Sequence, residues 1–533
     1  MHALLKIWLA VVVVAIGLRL GGPPLLDADE GRNAEVAREM AETNDYVMPR
    51  LNGLPYLDKP VVYFAAEAAF MEVLGPTELA ARLPAYLFTL ATAAVLFWFA
   101  RRAGYDPWVT AIVFLTMPFV VAFARVVIFD SALMFFVVVA LAAFWCAVEE
   151  RNARWSWLAW AAMGFAMITK GPVTFVLVLF VVLPYAWRRK AFGVVFPLIG
   201  IVLFAAVIAP WVWGVTQVVP EFLRYVLVTE TAARMATDEL QRTGPPWYFL
   251  PYLIGGALPW SIVALSNVAR ASARAAWRAE ARPTLFVILW LVVPFVFFSI
   301  SQSKRPQYIL PLMPAVALLV AHIWSEARTR AAAIVLALFG ALFLAAPLIL
   351  PRVKMKEEIA SAIPQTALIL GVAFALGGAV ALFAKRKDLV LAALTLPILV
   401  LPFASDPLLH AIAERRSTKS MVAEMRPHLT PSTEIIGVEA YAGSLSFYLR
   451  RPITVVSEDA SELTSNYLIR RYGHFTSNPA TPLKPLPYFE RSLTGTQPRV
   501  YIVRVGDRPR RALLESRGWR IIGDGARHVA YGR

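Results

Sequence analysis

Charged residues at the ends of long apolar segments are the part of this 533-residue sequence whose types could do chemistry. Four short polar stretches interrupt the apolar segments, and they contain Asp29 with Glu30, Arg125 with Asp130, Lys170, and Lys304 with Arg305. A charge at a membrane boundary costs free energy unless it is paired or solvated, so such residues often line a functional cavity. We therefore take these four stretches as the candidate site.

The cations and the carboxylates of these stretches suit two different parts of one reaction. Lysine and arginine bind phosphate well, and arginine can do so through two parallel hydrogen bonds, so we assign Arg125, Lys170, Lys304 and Arg305 to the phosphate of a lipid at headgroup depth. A nearby carboxylate can take a proton from an acceptor or stabilise cationic character at an anomeric carbon. The combination predicts transfer of a sugar from a lipid phosphate.

The elements that must position these residues are membrane-spanning helices. About 20 apolar residues cross a bilayer, and the sequence has thirteen candidate segments: 4–20, 79–100, 107–124, 131–148, 155–169, 173–187, 192–213, 247–266, 284–300, 307–325, 331–350, 363–384 and 388–405. Only 17% of the residues are charged, whereas a soluble protein carries about 25%. No cleavage pattern follows the first segment, so we interpret it as an uncleaved span.

Basic residues in the connections predict the orientation. If Lys6 is cytoplasmic, every even-numbered connection is basic, as the positive-inside rule requires; these contain Arg101, Arg102, Arg151, Arg154, Arg188, Arg189, Lys190, Arg270, Arg274, Arg278, Arg282, Arg328, Arg330, Lys385, Arg386 and Lys387. Thirteen crossings then place the C-terminal region outside the cytoplasm. The net charge of +16 lies mostly in these short loops, which argues against nucleic acid as a partner.

Two regions outside the spans predict the domain organisation. The first outer connection, 21–78, is long and acidic, and it contains two stretches with helical spacing, 30–42 and 61–74, that we expect along the membrane surface. Beyond residue 410, alternating stretches at 434–441, 446–456, 499–505 and 519–522 predict strands. We therefore expect a mainly α polytopic membrane domain over 1–406, which includes the loop 21–78, and a small soluble α/β domain over 407–533.

An ordered set of motifs resembles one known family. The stretch Asp29-Glu30-Gly31-Arg32-Asn33-Ala34-Glu35 resembles the first external loop of the GT-C glycosyltransferases, which include protein O-mannosyltransferases and the transferases that place aminoarabinose on lipid A. Further motifs match in order: 49–53, 56–60, 81–84, Asp130, 169–171, 303–311 and 444–449. The set covers most of the chain and is most similar to the aminoarabinose-transferase branch. The chain departs from the family pattern at Val61-Val62, where the family often has proline.

The resemblance implies a role for each matching residue. Asp29 would be the main catalytic carboxylate, with Glu30 beside it and Asp130 in the same acidic site. Lys59 would hold the lipid phosphate, oriented by Asp58. Further phosphate or acceptor contacts and nearby polar groups would be Lys170, Lys304, Arg305, Tyr56 and Tyr308. The site would face outward between the first loop and the fourth to tenth spans. No cofactor is required by this scheme, and it is compatible with a divalent metal ion near Asp29 and Asp130.

The expected function is that of an enzyme in the inner membrane of a Gram-negative cell. It would transfer a sugar from a polyprenyl-phosphate donor, such as undecaprenyl-phosphate aminoarabinose or a related pentose or hexose, to lipid A or another lipid or protein acceptor on the periplasmic face. One alternative is a transporter or flippase for a lipid-linked glycan, although the sequence has no internal repeat and its charges cluster at one face. Another is a polymerase or ligase of surface glycans that uses the same carriers.

Most candidate residues also have a purely structural explanation. Asp130 with Ser131 would cap the fourth span, and Lys170 and Lys304 would extend to the interface without a ligand. Lys59 would form a surface ion pair, Asp29 would belong to a solvated loop, and the tyrosines would sit in an interfacial belt. We also expect a solvated face at the helically spaced Glu35, Glu39 and Glu42.

Overall fold

The computed structural model describes residues 2–226, 244–267, 282–349, 357–495 and 497–533. Their packing forms two compact units. The helical unit comprises Met1–Arg19 and Ala85–Ser405, and the α/β unit comprises Leu20–Pro84 and Asp406–Arg533. The loop 21–78, which the sequence analysis placed with the membrane domain, therefore packs with the C-terminal part of the chain.

The apolar segments form helices because a backbone in lipid must satisfy its hydrogen bonds within the segment. Up to residue 405 the helices are α1 (His2–Gly17), α2 (Asp29–Thr43), α3 (Val62–Leu74), α4 (Glu78–Ala103), α5 (Pro107–Leu115), α6 (Pro118–Phe123), α7 (Asp130–Glu150), α8 (Arg154–Lys170), α9 (Val173–Arg188), α10 (Phe192–Val195), α11 (Leu198–Val218), α12 (Phe222–Arg224), α13 (Phe249–Gly256), α14 (Trp260–Asn267), α15 (Arg282–Ile300), α16 (Met313–Ile323), α17 (Arg330–Ile349), α18 (Glu357–Phe383) and α19 (Lys387–Ala404). A 3₁₀ helix, Pro306–Leu312, precedes α16.

Among the described residues, fewer helices qualify as membrane spans by length and composition than the thirteen predicted. Eight of the helical segments that the structure describes are long and apolar enough to cross, or nine if the pair α13 and α14, bent by 104°, is one span. Every predicted segment falls on one or two helices, but the count of thirteen is not confirmed. The segment 107–124, for example, is broken before Pro118, because proline disfavours helical backbone at the preceding residue. Part of the connection 214–246 and residues Arg270, Arg274 and Arg278 lie outside the described residues.

Helix α7 lies at the centre of the helical unit. In its most apolar stretch 83% of the residues are buried, whereas only 11% are buried in the span Phe192–Val218. Apolar side chains from α7 and α9, among them Val137, Leu141, Val178 and Val182, belong to one buried core. The first residue of α7, Asp130, is thereby held at the edge of this core.

The α/β unit is built on a six-stranded sheet. Its strands after residue 405 are β3 (Glu434–Val438), β4 (Thr454–Ser457), β5 (Leu483–Pro485), β6 (Arg499–Arg504), β7 (Arg520–Asp524) and β8 (His528–Gly532), and its helices are α20 (Asp406–Arg416), α21 (Lys419–Met425), α22 (Gly443–Leu449), α23 (Asn466–Arg470), α24 (Tyr472–Thr476), α25 (Pro487–Ser492) and α26 (Arg508–Ser516). The strand order is β5-β4-β3-β6-β8-β7. Strands β3 to β6 are parallel, and β8 is antiparallel to β6 and β7. A small hairpin of β1 (Arg50–Leu51) and β2 (Leu54–Pro55) lies in the loop.

The predicted strand at 446–456 is wrong in its first half. Residues 446–449 belong to α22, and β4 begins only at Thr454. The alternation of Leu445, Phe447 and Leu449 resembles a strand pattern, but this segment packs against α2. A Cβ atom on Gly443 would meet the backbone of Arg32 and Gly31, so glycine permits this close approach of the two helices.

Helix α2 confirms the helical spacing predicted for 30–42. The predicted solvated face is wrong for Glu35 and Glu39, but it is confirmed for Glu42, whose side chain is 52% exposed. Glu35 and Glu39 are 0% and 6% exposed, because the rest of the α/β unit surrounds α2. Arg38 donates two hydrogen bonds to Glu35, at 2.6 and 2.7 Å, and the backbone N–H of Gly53 donates to Glu39 at 2.9 Å. Burial nevertheless raises the pKa of Glu35 well above its usual range. The position of this helix relative to the membrane surface stays a prediction.

Candidate active site

Three predicted residues meet inside the helical unit. Asp130 begins α7, Lys170 ends α8, and Tyr308 lies in the 3₁₀ helix. Lys170 forms an ion pair with the carboxylate of Asp130, which is only 2% exposed. The Lys170 Nζ atom also lies 4.9 Å from the centroid of the Tyr308 ring, within cation–π distance. We call these three residues the Asp130 cluster.

The geometry of the Asp130 cluster does not fit the structural explanations considered for its residues, namely helix capping by Asp130 and extension of Lys170 to the interface. Phe129 occupies the N-cap position of α7, and no side chain caps that end, so the capping role expected for Asp130 and Ser131 is wrong. Lys170 is not extended to the interface, because its side chain is 14% exposed and pairs with Asp130. A buried ion pair is weak support for stability, since desolvation offsets the attraction of the charges. Such a pair at the end of a span is instead typical of a functional site.

The other predicted cations of the helical unit bind helix ends. Arg125 donates to the carbonyl oxygens of Ile16, Leu18 (2.8 Å) and Arg19 (3.4 Å), at the C-terminal end of α1. Lys304, 7% exposed, donates to the carbonyls of Ser299 (2.9 Å) and Ser301 (2.6 Å), near the end of α15. Burial lowers the pKa of Lys304.

Arg305, next to Lys304, is half-buried. Carbonyl contacts of the kind made by Arg125 and Lys304 satisfy the unpaired groups at helix C-termini. Phosphate binding by Arg125, Lys304 and Arg305 stays a prediction.

Asp29 and Glu30 lie side by side in the α/β unit but in different environments. The Asp29 carboxylate is 53% exposed and accepts a hydrogen bond from Arg32 at 2.7 Å. The Glu30 carboxylate is buried and accepts two hydrogen bonds from Arg82, each of 2.9 Å. Asp29 is therefore the carboxylate that can meet a substrate, and Glu30 holds the loop in place.

The motif around Lys59 connects the loop to the C-terminal segment within the α/β unit. The Asp58 carboxylate accepts the backbone N–H groups of Asn466 and Tyr467, at 2.8 and 3.0 Å, at the start of α23. The Lys59 ammonium donates to the carbonyl of Asp58 at 2.9 Å and is half-buried. Tyr56 is 1% exposed and packs edge-on against Phe64 with ring centroids 5.9 Å apart. The structure therefore places Tyr56 in a core instead of an interfacial belt.

Sequence reasoning assigned no role to two further residues, Arg82 of α4, although it lies in the matching motif 81–84, and Asp27 of the loop. Arg82 donates to Glu30 and to the carbonyls of Leu20, Pro23 and Pro24, at 3.1, 2.6 and 3.0 Å. Asp27, which is buried, accepts the Ser444 backbone N–H at 3.0 Å and also the Ser444 hydroxyl. A signal was present for Arg82, since an arginine seldom begins an apolar span without a partner.

We expect the stability of the α/β unit to depend on pH through Asp27. Burial raises the pKa of Asp27 to about 6, so the folded state favours the protonated acid. The contribution of Asp27 to the free energy of unfolding is complete below about pH 4 and is lost as the pH rises to about 6. It amounts to about 3 kcal/mol in total. The melting temperature of wild type should therefore fall more between pH 4 and 6.5 than that of Asp27→Asn, which keeps a neutral side chain of similar shape. Equal pH profiles for the two proteins would contradict this assignment.

The described part of the chain contains no group of three or more His, Cys, Asp or Glu side chains that could hold a metal ion. A divalent ion near Asp29 and Asp130 stays a prediction.

Sequence comparisons relate the chain to enzymes that transfer sugars. Residues 31–226 match the family model described as dolichyl-phosphate-mannose-protein mannosyltransferase. Two undecaprenyl phosphate-alpha-4-amino-4-deoxy-L-arabinose arabinosyl transferases of Pseudomonas fluorescens are each 30% identical to the chain, transferase 2 over 58% of the chain and 55% of the relative, and transferase 1 over 64% of each. The chain thus spans 55% to 64% of the length of these two curated relatives.

Solved structures extend the likeness to nearly the whole chain. The crystal structure of ArnT from Cupriavidus metallidurans bound to undecaprenyl phosphate has a TM-score of 0.85 and 28% identity, and covers 99% of this chain and 97% of that one. The apo structure of the same protein has a TM-score of 0.83 and 27% identity, with the same coverage. The chain is therefore a multi-pass membrane protein with the fold of the ArnT structures, and its sequence is similar to the arabinosyl transferases and, over residues 31–226, to the protein mannosyltransferase family model.

Proposed function

We propose that this protein transfers a sugar from a polyprenyl-phosphate donor to lipid A or another cell-envelope acceptor. The donor is undecaprenyl-phosphate aminoarabinose or a related pentose or hexose. The observation that carries the proposal is the buried Asp130 cluster, found in a chain that matches over 99% of its length a structure with bound undecaprenyl phosphate. The proposed location is the inner membrane of a Gram-negative cell, with the N-terminus cytoplasmic and the C-terminal domain periplasmic.

The proposed role of the cations is to hold the phosphate as it leaves. When the bond from the anomeric carbon to the phosphate oxygen breaks, negative charge grows on the phosphate, and fixed cations lower the energy of that state. Lys170 is held by Asp130 at the end of a span, so it is positioned before the donor arrives. In this proposal Lys59, Arg125, Lys304 and Arg305 supply further phosphate or acceptor contacts.

The acceptor attacks the anomeric carbon directly, with inversion. If the acceptor atom belongs to a phosphate, it is already an anion and needs no base, so Asp29 orients it; if it is a hydroxyl, Asp29 takes its proton. Exposure of the Asp29 carboxylate supports this role. The anomeric configurations of donor and product, measured by NMR, test the mechanism, and retention would exclude it. No cofactor is part of the proposal, and transfer rates with and without EDTA test the possible divalent ion.

Transfer of radiolabelled sugar from polyprenyl-phosphate donors, assayed in membranes, tests the function. Wild type should label a lipid or protein acceptor, and Asp29→Asn and Lys59→Ala should each lower the rate about 10- to 100-fold, by loss of orientation or of phosphate binding. Glu490→Gln and Arg508→Ala alter exposed side chains of the same unit and should transfer at the wild-type rate.

Two results would count against this function. If normally expressed Asp29→Asn and Lys59→Ala transfer as well as the controls, the two site assignments fail. If wild type transfers sugar from no donor, the transporter or flippase alternative takes its place, and the same membranes can be assayed for movement of lipid-linked sugar across the bilayer.

A further inference from the structure

The sheet of the α/β unit has a point at which its strand order reverses. Strand β3 lies between β4 and β6 and is parallel to both. The chain proceeds from β3 to β4 and β5 on one side, and then crosses to form β6 on the other side. In open α/β sheets, ligands bind in the crevice outside the carboxyl ends of the strands at such a switch point.

A cavity of about 560 Å³ lies at this edge of the sheet. The cavity is lined by residues that follow β3, β4 and β6, namely Tyr441, Ala442, Gly443, Ser461, Glu462, Thr464, Val505 and Gly506, and by residues 525–528 at the start of β8. Arg504 at the end of β6, residues 415–418, Met421, and Asp27, Ala28 and Arg32 of the loop complete the wall. The volume is within the range of small-molecule sites, about 300–1,000 Å³. We call this cavity the switch-point crevice.

The switch-point crevice has an excess of positive charge. Five arginines line it, Arg32, Arg415, Arg416, Arg504 and Arg527, together with two carboxylates, Asp27 and Glu462. Both carboxylates already have donors, since Ser444 binds Asp27 and the Ser457 hydroxyl binds Glu462 at 2.6 Å. Burial, with Arg504 and Arg527 nearby, lowers the pKa of His528 to about 4, so this histidine is uncharged at neutral pH. The lining residues therefore favour an anion.

Two of the arginines are available to a ligand. Arg527 is exposed, and its side chain makes no hydrogen bond or ion pair with any residue that the structure describes. Arg504 has a side chain 57% exposed and lies 3.7 Å from the buried carboxylate of Glu462, which is longer than a charge-assisted hydrogen bond. By contrast, the carboxylate of Asp27 is already engaged within the protein, because it accepts the backbone N–H of Ser444 after β3. The guanidinium groups of Arg504 and Arg527 therefore remain as donors at this crevice, and together they can bind a phosphate through several hydrogen bonds.

We propose that the switch-point crevice binds a phosphomonoester carried on a sugar, through Arg504 and Arg527. This site belongs to the α/β unit, whereas the Asp130 cluster belongs to the helical unit. A phosphate alone would fill only part of the cavity, and the attached sugar accounts for the rest. The phosphorylated sugar has two possible sources, a lipid headgroup or a soluble sugar phosphate. Its assignment to the headgroup of the acceptor rests on the proposed function.

Binding of glucosamine 1-phosphate to the purified full-length protein, measured by isothermal titration calorimetry, tests the crevice. We expect wild type to bind this compound and not glucosamine, and Arg504→Gln and Arg527→Gln each to weaken binding at least about tenfold. Arg508→Ala, an exposed arginine that does not line the crevice, should bind as wild type does. Equal binding by all four proteins, or none by wild type, would overturn the proposal. Unchanged melting temperatures for both glutamine variants would show that the loss is not one of folding.

Competition experiments distinguish the two sources of the ligand. Lipid A in detergent micelles should displace glucosamine 1-phosphate if the site takes a lipid headgroup, and dephosphorylated lipid A should not. If lipid A does not displace glucosamine 1-phosphate, the ligand is a soluble sugar phosphate. Because these assays contain no sugar donor, a failure of binding is distinguishable from a failure of the proposed transfer reaction.

Discussion

Replacing Lys170 with Met will lower the rate of sugar transfer by about 10²- to 10³-fold. The carboxylate of Asp130 is 2% exposed and pairs with Lys170, so removal of the lysine leaves an unpaired buried charge at a cost of about 3–5 kcal/mol. That cost lowers the stability of the fold. The rate falls for a separate reason, because the donor phosphate loses a cation held in position to stabilise its leaving charge; removal of one such donor typically costs about 2.7–4 kcal/mol, and each 1.36 kcal/mol is a factor of ten in rate. Initial rates over a range of donor concentrations measure the effect on kcat and KM.

A double variant separates the catalytic role of Lys170 from a structural one. In Lys170→Met with Asp130→Asn no charge is left unpaired, so the melting temperature should return close to that of wild type, whereas transfer should stay low. Recovery of transfer to within about threefold of wild type would show that the pair is only structural. Lys385→Met removes an exposed lysine of the same unit and should have no effect on either quantity.

Replacing Arg82 with Gln will destabilise the α/β unit by about 3–5 kcal/mol. Arg82 is 3% exposed, donates twice to Glu30, and also donates to three backbone carbonyls of residues 20–24. Without the guanidinium, the Glu30 carboxylate is buried and unpaired, and the carbonyls lose their donors. We expect the melting temperature to fall by roughly 10 °C. Thermal unfolding in detergent and the rate of limited proteolysis within residues 20–84 measure this change.

Arg102 provides a matched control on the same helix. It also donates twice to one glutamate, Glu150, at 2.9 and 2.6 Å, but the two side chains are 39% and 34% exposed. Exposed pairs contribute about 0–1 kcal/mol, so Arg102→Gln should change the melting temperature little. Adding Glu30→Gln to Arg82→Gln should recover part of the loss, since no buried charge is then unpaired. Equal effects of Arg82→Gln and Arg102→Gln would contradict the importance of burial.

The transmembrane helices, the first loop and the start of the C-terminal domain could all be predicted from local pattern. An apolar segment in lipid has no other way to satisfy its backbone, so each of the thirteen predicted segments falls on one or two helices. The helices at 30–42 and 61–74 follow from their spacing in the same way. The charged stretches at Asp29, Asp130, Lys170 and Lys304 were found because each interrupts an apolar segment or begins a polar loop.

Which charged side chains are buried and which are exposed could not be predicted, because this depends on contacts between distant parts of the chain. Asp29 and Glu30 are neighbours of the same chemical type, but Glu30 accepts hydrogen bonds from Arg82 and from the backbone N–H of Leu26, whereas Asp29 stays exposed. Glu35 has the spacing of a solvated face, but packing of the α/β unit around α2 buries it.

The sequence by itself determined which segments are helical and which polar residues interrupt them, since both follow from a few neighbouring side chains. Only the tertiary structure decided that Lys170 pairs with Asp130, 40 residues away, and that arginines from both ends of the α/β unit line one crevice. Local sequence sets the hydrogen bonding of each segment, whereas the burial and pairing of a charge depend on which segments pack around it.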